Sequence, residues 1–193
     1  TTLERITNIT DLPELTQFRY AVAVANLALA QEEPEVALRA LQSSTLSPVN
    51  SQAPDLQITL RELRAEGFFQ DGQYIAAVRE RIQLTPLLDN DRQVENNDII
   101  WEILSSAPRN ALVSSSTAVD SYELRGWLEL SRLVQSNQRD FQAQISAIDQ
   151  WRNTWTQHSA ANALPAAVAR IYSIWENRPH EIALVLPVQE PVG

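Results

Sequence analysis

An all-α fold built from antiparallel helical hairpins is what this sequence predicts, and three observations predict it. Glycine is scarce: Gly67, Gly72, Gly126 and Gly193 are the only four in 193 residues, and a sheet-based fold of this size needs more turn glycines. Apolar residues recur at helical spacing through most of the chain. Small residues also return at a shift of 40 residues between "AVAVANLALAQEEPEVALRAL" and "RELRAEGFFQDGQYIAAVRERI", a period typical of stacked helical repeats.

The elements follow in order. "DLPELTQFRYAVAVANLALAQ" predicts a first helix, with Thr10 or Asp11 as cap and Pro13 in the first turn. Its apolar residues are dense enough to imply that most of its circumference is covered. "QEEP" breaks it, and Pro34 opens "PEVALRALQSS". "TLSPVNSQAPD" is a loop by composition. "LQITLRELRAEGFFQDGQYIAAVRERIQL" is a hairpin turning at "QDGQ", with Leu60, Leu63, Gly67 and Phe68 facing one way and Tyr74, Ala77, Val78 and Ile82 facing inward. "TPLLDNDRQVEN" reads as a polar connection or short turn and "NDIIWEILSSA" as a helix; Pro108 stops it or starts the next short one, "PRNALVSSS". "DSYELRGWLELSRLVQSNQ" and "RDFQAQISAIDQWRNTWTQ" form another hairpin. "SAANALPAAVARIYSIWEN" is the last helix, kinked or started at Pro165.

The repeat carries a physical reason. Two antiparallel helices cross closely only where small residues sit, and Ala25 with Ala37, Ala65 with Ala77, and Ser131 with Ala143 are each twelve residues apart. In the third copy Trp127, Leu130, Ser131 and Val134 match the W-x2-L-G-x2-Y head of a tetratricopeptide repeat. The fold expected is therefore a short tetratricopeptide-like solenoid over residues 1–177. In that register the first helix of each hairpin lines the concave face, which points to Arg19 and Asn26, then Glu62, Glu66 and Phe69, then Arg125 and Arg132. Mixed charge there suits an extended peptide or partner segment; solvated helix surface is the plainer reading.

Composition narrows the chemistry. Net charge is −9, so neither nucleic acid nor an anionic membrane surface is an expected partner. All fifteen basic side chains are Arg, and Cys is absent. Lys-based and thiolate chemistry are thus excluded within this chain. No run approaches the roughly 18–20 apolar residues that span a bilayer. "TTLERITNITDLPEL" opens abruptly in polar sequence without a signal peptide, so the chain is expected to begin inside a longer protein.

Local candidates for chemistry are weak. His158 lies in the "TQHSAA" turn and reads as a turn cap; His180 reads as a linker residue. "DNDRQVENND" lacks the order and glycine of a calcium loop and reads as a solvated turn and helix cap. "SSST" has neither a G-x-S-x-G nor an S-x-x-K context. Trp101, Trp127, Trp151, Trp155 and Trp175 lie on helical patterns and read as packing residues, Trp155 being nearest a turn. No metal and no cofactor is expected.

The tail differs from the rest. Ile182, Ala183, Leu184, Val185 and Leu186, closed by Pro187, read as one strand apolar on both faces, as strands of a parallel sheet are. "RPHE" before it reads as a hinge.

"IWEILSSAP", "NALV", "LRGWLELSRL", "IDQWRNTWTQHSAANALP" and "IALVLPV" occur in that order, and together they resemble the LpoA-type lipoproteins. The resemblance covers roughly residues 95–187; the first ninety residues share the repeat architecture alone. Local departures are Trp155 and Thr156, where the family typically has Tyr-Pro, and Gln189 and Glu190, where it has Ser-Gly or similar. The resemblance implies a non-catalytic helical domain, followed over 178–193 by the hinge and first strand of a periplasmic-binding-protein-like domain. It implies an upstream lipid anchor in the outer membrane of a Gram-negative bacterium, with the protein on the periplasmic side. It implies activation of a class A penicillin-binding protein, mainly through the following domain, with this domain as spacer and docking arm. Peptidoglycan and other envelope proteins are further partners it admits. The alternative is a peptide- or protein-binding adaptor that works through its concave groove.

Overall fold

The computed structural model describes residues 12–42, 53–114, 121–136 and 140–178. The expected strand at 182–186, most of its hinge, His180 and the Thr10 and Asp11 cap candidates lie outside the described residues. Ten α-helices are present among the described residues, with no strand: α1 (Glu14–Ala30), α2 (Pro34–Leu41), α3 (Pro54–Gln70), α4 (Tyr74–Leu84), α5 (Asn90–Ser106), α6 (Arg109–Ser114), α7 (Tyr122–Ser136), α8 (Phe141–Thr154), α9 (Ser159–Asn162) and α10 (Ala166–Glu176). The all-α reading holds.

Prolines and short polar side chains set the starts. Pro34 and Pro54 occupy the first turns of α2 and α3, where a missing N–H is no loss. Asp89 accepts the Arg92 N–H at 2.9 Å to cap α5, and Asp140 accepts that of Ala143 at 3.0 Å to cap α8. Pro13 stands one residue before α1, at its cap position, rather than inside the first turn. Pro165 separates α9 from α10, so the last expected helix is two.

The first two hairpins repeat in backbone as well as in sequence. Glu33 N–H donates to the Ala28 carbonyl at 2.8 Å, and Gln73 N–H donates to that of Phe68 at 2.8 Å. Both bonds close a helix end of the same type. The residue that turns the chain has positive φ in each: Glu32 at 58° and Gly72 at 72°. The 40-residue shift maps one onto the other.

Neighbours in sequence are neighbours in space: α1 packs on α2, α2 on α3, α3 on α4, α4 on α5, and α7 on α8. The small residues sit where expected. Ala25, Ala37, Ala65, Ala77 and Ser131 are essentially inaccessible, whereas Ala143 is only half-buried. Gly67 serves the same end, because a Cβ there would lie 3.0 Å from Leu38 Cδ2 across the α2–α3 contact. One core gathers Phe18, Ala21, Ala25, Leu29, Leu41 and Leu60 from α1, α2 and α3. A larger one runs from Ala77 and Val78 of α4 through Ile100 and Leu104 to Trp127, Ile148, Trp151 and Val168.

Two expectations are corrected. α1 is not wrapped: Leu15 and Leu27 stay 45% and 41% exposed, because its main described neighbours, α2 and α3, lie on one side. α5 begins at Asn90, well before the apolar run that signals it. "TPLLDNDRQVEN" is therefore a 3-10 turn at Thr85–Leu87 and then helix. Asn96 and Asn97 are buried within it, since their amides donate at 2.9 Å to the carbonyls of Arg81 and Ala163. Each amide is thus paired through its NH2 group, which offsets part of the cost of burial, while Asn96 Oδ1 and Asn97 Oδ1 are buried with no hydrogen-bond partner among the described residues.

Ala77→Leu should overpack the α3–α4 crossing and lower stability by about 1–3 kcal/mol, read as the shift in urea midpoint. A neutral result would mean that Ala77 does not lie at a crossing.

Candidate docking face and the family motif

The seven residues assigned to a concave face do not form one cluster. Glu62, Glu66 and Phe69, on one stripe of α3, converge on Arg81 of α4 and on α5. A cavity of about 90 Å³ is lined by Ala65, Glu66, Phe69, Arg81, Ile99, Glu102 and Ile103. Glu62 pairs with Arg92 at 3.0 Å. Glu66 accepts from the Gln70 amide at 2.8 Å. Phe69 meets Tyr74 edge-on at 6.0 Å. Burial pushes the Arg81 guanidinium below its usual value, and Glu62 and then Glu66 pull it back. Arg81 Nε is buried with no hydrogen-bond partner among the described residues.

Arg19 and Asn26 on α1 and Arg125 and Arg132 on α7 are exposed. Asn26 donates to its own helix, to the Val22 carbonyl at 2.9 Å. No hydrogen bond or ion pair among the described residues joins these four to the Arg81 group. Arg81, Arg92 and Glu102 were not singled out by sequence. Arg81 could have been, since it lies one turn beyond the crossing residue Ala77.

The "LRGWLELSRL" and "WRNTWTQHSAANALP" segments meet at a different place, the corner of α7, α8 and α9. His158 is wholly buried there. Its Nδ1 accepts the Ala160 N–H at 3.1 Å, so Nδ1 carries the lone pair and Nε2 the hydrogen. Nε2–H then donates to the Glu123 carbonyl at 2.8 Å, with the Glu123 carboxylate 3.3 Å away. That carboxylate also accepts from the Ser159 hydroxyl at 2.9 Å and its N–H at 3.2 Å, closing the start of α9. Rings of Tyr122, Trp127, Trp151 and Trp155 surround the imidazole, with centroids 5.0–6.2 Å away. Trp151 Nε1 donates to the Gly126 carbonyl at 3.0 Å. His158 is thus the turn cap that its place in the sequence suggested, and also a buried tie between three helices. Gly126 is the missed signal. A Cβ on it would stand 2.3 Å from His158 Cδ2, so only glycine lets the ring lie against α7.

With this geometry in hand, comparison with known proteins decides the family. A family model described as "LppC putative lipoprotein" matches residues 2–192. The chain belongs to the LppC family. This match extends over nearly the whole chain, beyond the segment from 95 to 187 that the motifs covered. The LppC-family chain is 29% identical over 94% of its length to the penicillin-binding protein activator LpoA of Haemophilus ducreyi. It is 31% identical over 92% to that of Edwardsiella ictaluri. It spans 31% and 26% of those relatives, about a third and a quarter of their lengths. Its fold is that of the LpoA N-terminal domain from Haemophilus influenzae, with a TM-score of 0.74 at 24% identity over 88% of this chain and 74% of that one. The Escherichia coli LpoA amino-terminal domain gives 0.68 at 21% over 86% and 72%. Full-length Haemophilus influenzae LpoA gives 0.73 at 25%, this chain covering 30% of it.

Gly126→Ala should lower stability by about 3 kcal/mol, the upper end for overpacking, because the clashing ring is fully enclosed; urea denaturation measures this. Burial lowers the His158 pKa, with Glu123 opposing. The unfolded chain therefore takes up the proton first as pH falls below about 6.5. Stability should be complete above that pH and decline as pH drops toward the folded-state value. Urea midpoints at pH 7.5, 6.5 and 5.5 test the decline, and His158→Gln should flatten it.

Proposed function

We propose that this chain is the non-catalytic N-terminal helical domain of an outer-membrane lipoprotein that activates a class A penicillin-binding protein from the periplasmic side. The observation that supports it is the LppC-family match over residues 2–192, together with a fold shared with LpoA N-terminal domains. On this reading residues 1–177 are the helical domain. Residues 178–193 are the hinge and first strand of a periplasmic-binding-protein-like domain that makes the main contact with the synthase. The stacked hairpins act as a spacer and docking arm, carrying that domain across the periplasm toward the bifunctional enzyme.

A second reading, a peptide- or protein-binding adaptor, is favoured by the convergence of Glu62, Glu66 and Phe69 on the half-buried Arg81. Arg19, Asn26, Arg125 and Arg132 would then be further contacts outside the Arg81 group, and peptidoglycan or other envelope proteins would be the ligands.

Reconstituted peptidoglycan synthesis separates the two. The chain alone should leave the synthase rate unchanged, and a longer protein that includes the following domain should raise it. Full stimulation by the chain alone would overturn the spacer reading. Binding of the chain to the synthase's periplasmic region, lost in Arg125→Glu/Arg132→Glu with the thermal midpoint intact, would instead establish the adaptor.

A further inference from the structure

Beyond the Arg81 cavity, α5 carries a second recess on the same side as the start of α10. It has a volume of about 440 Å³ and is lined by Asp98, Trp101, Glu102, Ser105 and Ser106 of α5 and by Ala166 and Ala167 of α10. Positions 98, 101, 102 and 105 follow the spacing of a single helix face. Trp101 rests one edge on the main core and is only half-buried. Its indole N–H makes no hydrogen bond among the described residues. Opposite it stand two alanines, too short to cover the ring.

The charged groups here are of one sign. Asp98 and Glu102 line the recess, and no basic side chain does among the described residues. Asp98 Oδ1 is held by the Ala166 N–H at 2.6 Å, which fixes the carboxylate and leaves its other oxygen open. Glu102 is exposed and has no ion pair among the described residues. The nearby guanidinium of Arg81 answers to Glu62 and Glu66 instead. Two ionised carboxylates can only accept hydrogen bonds, and an indole face attracts a cation. A saccharide would also stack on the ring, but it would leave both negative charges uncompensated in a protein of net charge −9.

We infer that this recess is a receptor for a basic side chain of an extended peptide segment. The cation lies on the Trp101 face and donates to Asp98 and Glu102, and the flanking backbone reaches Ser105. The site is separate from the α3 stripe and does not rest on the activator reading.

The test is a titration of the 15N-labelled chain with the peptide acetyl-Gly-Arg-Gly-Arg-Gly-amide, following the Trp101 indole N–H signal assigned with Trp101→Phe. A saturable shift is expected, weakening as salt is raised. Glu102→Gln should weaken binding about threefold to fivefold without moving the thermal midpoint. Equal binding of the same peptide with citrulline in place of Arg would overturn the inference, as would an unchanged affinity in Glu102→Gln. A shift with chitotriose and none with the Arg peptide would also overturn it, and would make the recess a saccharide site.

Discussion

The approach of the His158 ring to the backbone of α7 is the constraint on which the second half of the molecule depends. A neutral imidazole has one donor and one acceptor, and both are used. The donor reaches a carbonyl of α7 and the acceptor takes the first free N–H of α9. Three helices are thereby referred to one ring, and the tryptophans around it have fixed neighbours. Such a buried polar group stabilises only when every partner is present. Glu123, Gly126 and His158 therefore behave as a unit. The first half is held differently, by alanines and a glycine that let helices cross closely.

Much of this was legible in the sequence, for reasons that can be named. The crossing residues Ala25, Ala37, Ala65 and Ala77 were readable because close helix crossings demand small side chains wherever they occur. The cap role of His158 was readable from its place before "SAAN". What escaped was long-range. The early start of α5 was hidden because "NDRQVEN" is polar, and the reason Asn96 and Asn97 are buried lies in carbonyls supplied by α4 and by the segment before α10. The Arg81 group was invisible for the same reason: its members come from α3, α4 and α5. Of the seven concave-face residues, the three from α3 gather. The other four sit at exposed positions, since a common register along the helices does not by itself bring side chains together.

The two recesses along α5 differ in their chemistry although Glu102 borders both. In one, an arginine is half-buried among carboxylates that offset its charge. In the other, two carboxylates flank an indole with no cation beside them among the described residues. The first recess therefore has its charge offset from within and the second does not, and such a difference bears on the register of a charged partner more than on its affinity.

Glu32 carries a further consequence. A non-glycine side chain in the left-handed region raises the energy of the folded state locally, whereas Gly72 at the matching position does not. In a stack where each hairpin leans mainly on the next, stability is close to a sum of local and nearest-neighbour contributions. The α1–α2 turn thus carries a local cost that the α3–α4 turn avoids. Loss of order that begins at that turn would leave the tryptophan-rich corner in place, because the two cores share no buried residue.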